Sequence, residues 1–329
     1  MSSRHVDIAF CCDEGYLQPL TVAVESLVAT ASQPSALRVW VASRSLQPEM
    51  LGHLANRVES LGGEFHVVPI ATDDARLRGA KVDKHLSVAT YDRLLLPDVL
   101  PAEVTRVLYL DCDIVVCRAV EELWAEDLGA HSLAAVQKPR AENFARVGLA
   151  CEEDYFNAGV LLMDLARWRA ERTHLTALAY IQQEEGRLEF HDQDALNHAI
   201  AGRWTHLDRR WNQQFKFFVH TAGFLHMTAA DLRRVRTDPF LVHFTTGSKP
   251  WHYDNAHPFR HYFYAALDRT IYAGWRPQPR DWRERVHRWR CACVPPHLDP
   301  AVLRNVFRPG YKALKARLRL RVALAGTRG

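Results

Sequence analysis

The stretch RVLYLDCDIVV, residues 106–116, decides how this chain is read. Apolar residues run up to Asp111 and resume after Asp113. Such a run reads as a buried strand, and residues two apart on a strand point the same way. The two carboxylates therefore converge, whether the strand continues through them or ends in a turn that gathers them. Buried carboxylates repel each other, and desolvation penalises each charge. A cation between them answers both problems. A hard divalent ion suits oxygen ligands: Mg2+, or Mn2+, which also accepts imidazole. The alternative is a strand that simply ends in a polar turn, with the aspartates capping backbone N–H groups.

Elements on both sides of the stretch alternate. HVDIAFCCD reads as a first strand ending at Asp13, and ALRVWVAS and EFHVVPI as the next two. Helical spacing separates them, with Leu20, Val24, Leu27 and Val28 on one face and Leu51, Leu54, Val58 and Leu61 on another. HLSVATYDRLLLPDVL is expected as a helix leading into the Asp pair. This βαβ succession predicts an α/β fold with a mostly parallel sheet, whose ligands bind beyond the carboxyl ends of its strands. Asp13 and Asp111 both sit at such ends. Farther on, SLAAVQKP, YFNAGVLLMDL and FLVHFTTGSKPW read as strands. LARWRAERTHLTALAYIQQEEG is expected as one helix, and DQDALNHAIAG as another with Asp192 as N-cap.

The 329 residues, 48% hydrophobic, supply a large core. No apolar run approaches the roughly 20 residues of a membrane span, and the start does not read as a signal peptide. A catalytic body over residues 1–270 and a basic tail over 271–329 are expected. Residues 275–329 hold 14 Lys and Arg against 3 Asp and Glu, which leaves 28 basic against 35 acidic residues elsewhere. The tail's amphipathic pieces, DWRERVHRWRCAC and YKALKARLRLRVALAG, point to an anionic surface as partner. No nucleic-acid module is visible, so no nucleic acid is expected. The seven cysteines read as reduced thiols, and Cys291 and Cys293 lack the second ligand pair of a structural zinc site.

D-x-D after an apolar run occurs in two enzyme classes. In haloacid dehalogenase-type phosphatases, Asp111 would be the nucleophile and Asp113 the acid/base. Their pair usually follows the first strand, however, and their downstream Gly-Asp signature has no counterpart in this chain. The other class is the nucleotide-sugar glycosyltransferases. YLDCDIVV, DYFNAGVLLMDL, HDQDALN and HFTTGSKPW occur in that order, preceded by IAFCCDEGYLQPLTVAVESL and SVATYDRLLLPD. Together they resemble retaining glycosyltransferase family 8, which includes bacterial lipopolysaccharide galactosyl- and glucosyltransferases and glycogenin. The resemblance spans residue 6 to about residue 255. It implies the GT-A fold: a Rossmann-like mixed central sheet flanked by helices, here with a basic helical C-terminal tail.

It also implies roles. Asp111, Asp113 and His243 would hold Mn2+ (or Mg2+), and Lys249 would neutralise the leaving diphosphate. Asp13 and Tyr16 would bind uridine, and Arg93 would lie near the donor sugar and phosphates. Asn157, Asp192 and Gln193 would line the sugar site, with Cys112, Ala158 and Gly247 beside the donor. Asp192, Gln193 and Lys249 are the expected catalytic residues. Gln193 stands nearest the place of a nucleophile, but an amide oxygen is a poor one, which favours front-face attack. His85 falls on the acceptor side, and Gln137 stands where some members carry an acceptor-binding Asp. The expected reaction moves galactose or glucose from a UDP-sugar to a hydroxyl of a glycan, such as a lipopolysaccharide core sugar. The competing non-enzymatic reading is a nucleotide-sugar-binding protein without turnover. The expected place is the cytoplasm, peripheral on the inner face of the cell membrane through the tail.

Overall fold

Strand residues alternate between two buried faces. Ile8 and Phe10 of β1 (Val6–Cys11) enter one apolar cluster, whereas Ala9 and Cys11 enter another. β2 (Leu37–Ser43) and β4 (Arg106–Leu110) divide the same way. A sheet covered on both faces buries successive residues on both sides, which is why these strands are largely apolar, with buried Asp7 of β1 paired to Arg38 of β2. The computed structural model describes residues 5–77, 80, 88–184, 186–255, 257–282 and 284–285. His85, residues 283 and 286–329 of the basic tail, and with them all of its second amphipathic segment and most of its first, lie outside the described residues.

The main sheet has seven strands in the order β3-β2-β1-β4-β7-β6-β8, adding β3 (Glu64–Pro69), β6 (Leu133–Gln137), β7 (Phe156–Asp164) and β8 (Thr205–His206). β3, β2, β1 and β4 run parallel, while β7 is antiparallel to both β4 and β6. The sheet is therefore mixed, as the family resemblance implies. Helices Leu17–Thr30 and Gly52–Glu59 cover one face. Helices Leu165–Glu171, Thr173–Glu184 and His191–Ile200 cover the other.

A second sheet of three short strands explains the Asp pair. β5 (Ile114–Val116) is antiparallel to β10 (Leu241–His243), which is parallel to β9 (Gln213–Gln214). The chain thus leaves the main sheet after Leu110 and joins the small one at Ile114. Residues 111–113 are the crossing between the two sheets, not the middle of one strand.

Three expected helices differ in detail. Residues 88–95 form a 3-10 helix, with an α-turn only over Leu96–Val99. Tyr91, Asp92, Arg93, Leu94 and Leu95 are buried in succession along it. The expected helix from Leu165 breaks at Arg172, whose φ of 58° ends one helix before the next begins. The break lets Trp168 donate from Nε1 to Ser132 O (2.9 Å) at the sheet. Asp192 is not an N-cap: the helix starts at His191, after Phe190, and buries Asp192 in its first turn. Asp194 accepts from the free N–H groups of Glu189 and Phe190 just before that turn (2.9 and 2.8 Å).

Candidate active site

The crossing of the two sheets opens a cavity of about 220 Å3. Its lining includes Asp13, Tyr16, Arg93, Asp111, Cys112, Asp113, Asn157, Ala158, Asp192, Gln193, His243 and Lys249, all named from the sequence, together with residues that were not, among them Tyr109, Gly159, Phe190 and Thr245. Gln137 and Gly247 are not among its lining residues. The Gln137 amide instead accepts from Arg209 Nη2 (2.6 Å). A side-chain carbon at Gly247 would meet open space, so nothing crowds that loop.

Asp111 and Asp113 are each set by backbone. The Asp111 N–H donates to Gly159 O of β7 (2.9 Å), and Asp113 O accepts from Phe244 N just past β10 (3.0 Å). His243, the last residue of β10, turns Nε2 to both carboxylates, 3.4 Å from Asp111 and 3.1 Å from Asp113. One ligand atom from each of the three residues lies within 4.8 Å of the others. A single ion at ordinary bond lengths of about 2.1 Å spans ligand atoms up to about 4.2 Å apart, so side-chain adjustments of a few tenths of an ångström close the set. Two carboxylates and one imidazole are also the donor set of a divalent ion with hard or borderline character. Gly159 makes room for the set. A Cβ there would stand 2.1 Å from His243 Cε1 and 2.6 Å from Asp111 Oδ2. The residues fit a divalent cation.

The cations around this pair divide the work. Arg93 Nη1 lies 3.0 Å from Asp111, and Arg93 Nε lies 2.8 Å from Asp192, so one guanidinium bridges two buried carboxylates. Lys249 Nζ reaches Asp113 Oδ2 (2.5 Å) and Phe244 O (2.7 Å). Burial works against ionising Asp113, but Lys249 and His243 outweigh it and hold the carboxyl below the usual range. Asp111 is lowered too, with Arg93 overcoming its burial. Asp192 goes the other way, to about 7, because burial outweighs Arg93 and nearby Asp111 adds repulsion.

A chain of side-chain amides runs away from His243 and was not legible beforehand. His243 Nδ1–H donates to Asn212 Oδ1 (2.8 Å), which directs Nε2 at the carboxylates. Asn212 Nδ2 donates to Asn157 Oδ1 (2.8 Å), and Asn157 Nδ2 to Gln193 Oε1 (2.9 Å). Gln193 Nε2 donates to Tyr155 Oη (3.0 Å), which donates to Asp194 Oδ1 (2.5 Å). Gln193 Oε1 also accepts from the Ala158 N–H (3.2 Å). Both hydrogen bonds to that oxygen tie it to the protein. Asn212 and Gln193 come from elements about 20 residues apart, and only the β7 residue between them joins the two.

The family profile described as Glycosyl transferase family 8 matches residues 7–255. The chain is 27% identical over 269 residues to general stress protein A of Bacillus subtilis (strain 168), covering 80% of this chain and 93% of that one. It is 28% identical over 272 residues to lipopolysaccharide 1,3-galactosyltransferase of Salmonella typhimurium, covering 79% and 77%. Its fold matches that of galactosyltransferase LgtC, solved with donor and acceptor sugar analogs, at a TM-score of 0.70 and 26% identity, over 84% of this chain and 99% of that one. The chain belongs to glycosyl transferase family 8 and is a glycosyltransferase of GT-A fold. Transferases of this family use nucleotide-sugar donors and glycan acceptors and generally depend on a divalent metal. The phosphatase and non-catalytic readings are not favoured.

Proposed function

We propose that the protein transfers galactose or glucose from a UDP-sugar to a glycan hydroxyl, with retention and with Mn2+ or Mg2+ bound by Asp111, Asp113 and His243. The convergence of these three residues, with Lys249 on one side and Arg93 on the other, carries the reading. A bound divalent ion would offset the diphosphate's negative charge and so stabilise UDP as a leaving group. The chain's own residues do the rest. Lys249 is placed to move from Asp113 to a phosphate oxygen once the ion neutralises the carboxylates. Tyr16, stacked edge-on against Trp251 with centroids 5.5 Å apart, offers a ring face to uracil, and Asp13 offers a carboxylate to a ribose or base donor. Asp192, held by Arg93, and Asn157 present acceptors and donors to sugar hydroxyls. Gln193 spends its oxygen on Asn157 and Ala158, so it orients the sugar as a positioning amide. That occupancy favours front-face attack, with a donor phosphate oxygen taking the acceptor's proton.

The Salmonella relative's name places a galactosyltransferase on lipopolysaccharide, and a lipopolysaccharide glucosyltransferase of Escherichia coli is 28% identical over 187 residues. A lipopolysaccharide core sugar is therefore the acceptor class proposed. Ile271, Trp275 and Trp282, at the start of the basic tail, are exposed. Such residues suit a headgroup interface, so a peripheral place on the inner face of the cell membrane is proposed. Among the described residues no helix is long and apolar enough to cross a membrane. The test is a UDP-sugar screen with Mn2+, scoring UDP release and sugar transfer. Asp111→Asn and excess chelator are each expected to abolish both. Full activity in either condition refutes the metal-bound reading.

A further inference from the structure

Lys138 directly follows β6, and its backbone N–H continues the sheet by donating to Tyr155 O (2.9 Å). The residue is only 7% exposed, yet Nζ has no hydrogen-bond partner among the described residues. The ammonium faces rings instead: Phe190 with its centroid at 2.9 Å and Tyr155 at 5.0 Å. A ring face returns less to a desolvated cation than burying an unpaired charge costs. Burial, with Lys216 nearby, pushes the Lys138 pKa down to about 7. The buried carboxylate in its field, Asp194, is already filled. Its Oδ1 accepts from Asn143 and Tyr155, and its Oδ2 from the N–H groups of Glu189 and Phe190. Lys216 Nζ is turned to Pro139 O and Arg140 O (3.0 and 3.1 Å), which adds positive charge beside Lys138.

Phe190 connects this ammonium to the reaction site. Its ring covers Lys138 on one side, lines the catalytic cavity on the other, and is 36% exposed. Its backbone N–H is held by Asp194 Oδ2 (2.8 Å), which leaves the ring's side-chain torsions as the freedom by which it could move.

We propose that Lys138, uncovered by Phe190, receives a phosphate or carboxylate group of the acceptor, so that the acceptor is an anionic sugar. This rests on the transferase reading above, because it needs an acceptor beside a bound donor. A sugar ring lying on the displaced Phe190 would place its anionic group against Nζ. Binding then supplies the anion that the buried ammonium lacks.

The test uses the full chain saturated with UDP and Mn2+, so that added phosphate cannot compete at the diphosphate site. Glucose, glucose 6-phosphate, glucuronate and inorganic phosphate are then titrated by calorimetry. The wild type is expected to bind one or both anionic sugars at least tenfold more tightly than glucose. The phosphate and carboxylate arms identify which group the site takes. Lys138→Met is expected to bring both to the level of glucose while UDP affinity stays intact, and Lys138→Arg to keep the preference. Absence of a preference in the wild type overturns the proposal, as does a preference that survives in Lys138→Met. Inorganic phosphate binding as tightly as glucose 6-phosphate also overturns it, because the site then takes a free anion. If UDP itself fails to bind in the first titration, the transferase reading falls, and this inference with it.

Discussion

Replacing Gly159 by Ala adds one carbon at the most crowded point of the site. That carbon would stand 2.1 Å from His243 Cε1, 2.6 Å from Asp111 Oδ2 and 2.8 Å from His243 Nδ1. Carbon atoms in contact sit about 3.5 Å apart, so the imidazole would have to retreat by about 1.4 Å. Neither side yields easily. Gly159 lies in β7 between β4 and β6, and its carbonyl holds the Asp111 N–H. His243 is tied to Asn212, which is fully buried, and to β5 across the small sheet. Overpacking of this kind costs about 1–3 kcal/mol of stability, which a domain of this size survives. Ligand geometry is less forgiving, since coordination distances tolerate only about 0.2 Å. The expected result is at least a tenfold weaker Mn2+ affinity and about a hundredfold loss in kcat/KM, as for a 1 Å misplacement. Mn2+ titration followed by electron paramagnetic resonance reads the first, UDP release the second, and a thermal melt confirms folding. A folded Gly159→Ala protein with wild-type Mn2+ affinity and turnover would refute the placement of the metal ligands.

Other outcomes follow from the same geometry. Asn212→Leu leaves His243 Nδ1 without its acceptor and is expected to weaken Mn2+ binding about 10–100-fold; Asn212→Asp, which restores an acceptor, should recover most of it, and equal affinities in all three proteins would sink the role. Arg93→Met leaves Asp111 and Asp192 without their shared cation, so the chelated protein should lose about 3–5 kcal/mol in urea unfolding; an unchanged midpoint would contradict the bridge. His257 is buried and pushed down to about 3 by desolvation, with His261 and His243 adding to it. Between that value and the ordinary 6.5 the unfolded chain binds the extra proton, so stability present above pH 6.5 is lost as pH falls toward 3, by up to about 5 kcal/mol. His257→Gln should flatten that acid limb in unfolding measured at pH 7, 5 and 4; identical slopes would exclude the histidine as its source.

Periodicity made some elements plain and hid others. β1, β2 and β4 are mostly apolar because both sheet faces are covered, with Asp7 and Arg38 paired to each other, and the apolar spacing of helix Leu17–Thr30 showed the face it turns to the sheet. The 3-10 turn over Val88–Leu95 and the break at Arg172 carry no such signal, since both follow from what lies against them. The antiparallel β7 was likewise hidden, because local spacing does not encode strand direction. Among site residues, those on quoted motifs were legible. Asn212, which lies on no quoted motif, was not, and the part of Tyr155 was hidden although its motif was quoted, because each works as one link between partners distant in the chain.

What the chain order alone established was an alternating α/β body, a D-x-D at its centre, and a family whose motifs place most of the cavity's residues. Those are local patterns, readable because burial imposes them residue by residue. Tertiary structure decided that the Asp pair spans the passage between two sheets, that Gly159 clears space for His243, and that Lys138 is buried without an anion. Each depends on atoms from remote strands approaching within a few ångströms, and no periodicity along one segment records such an approach.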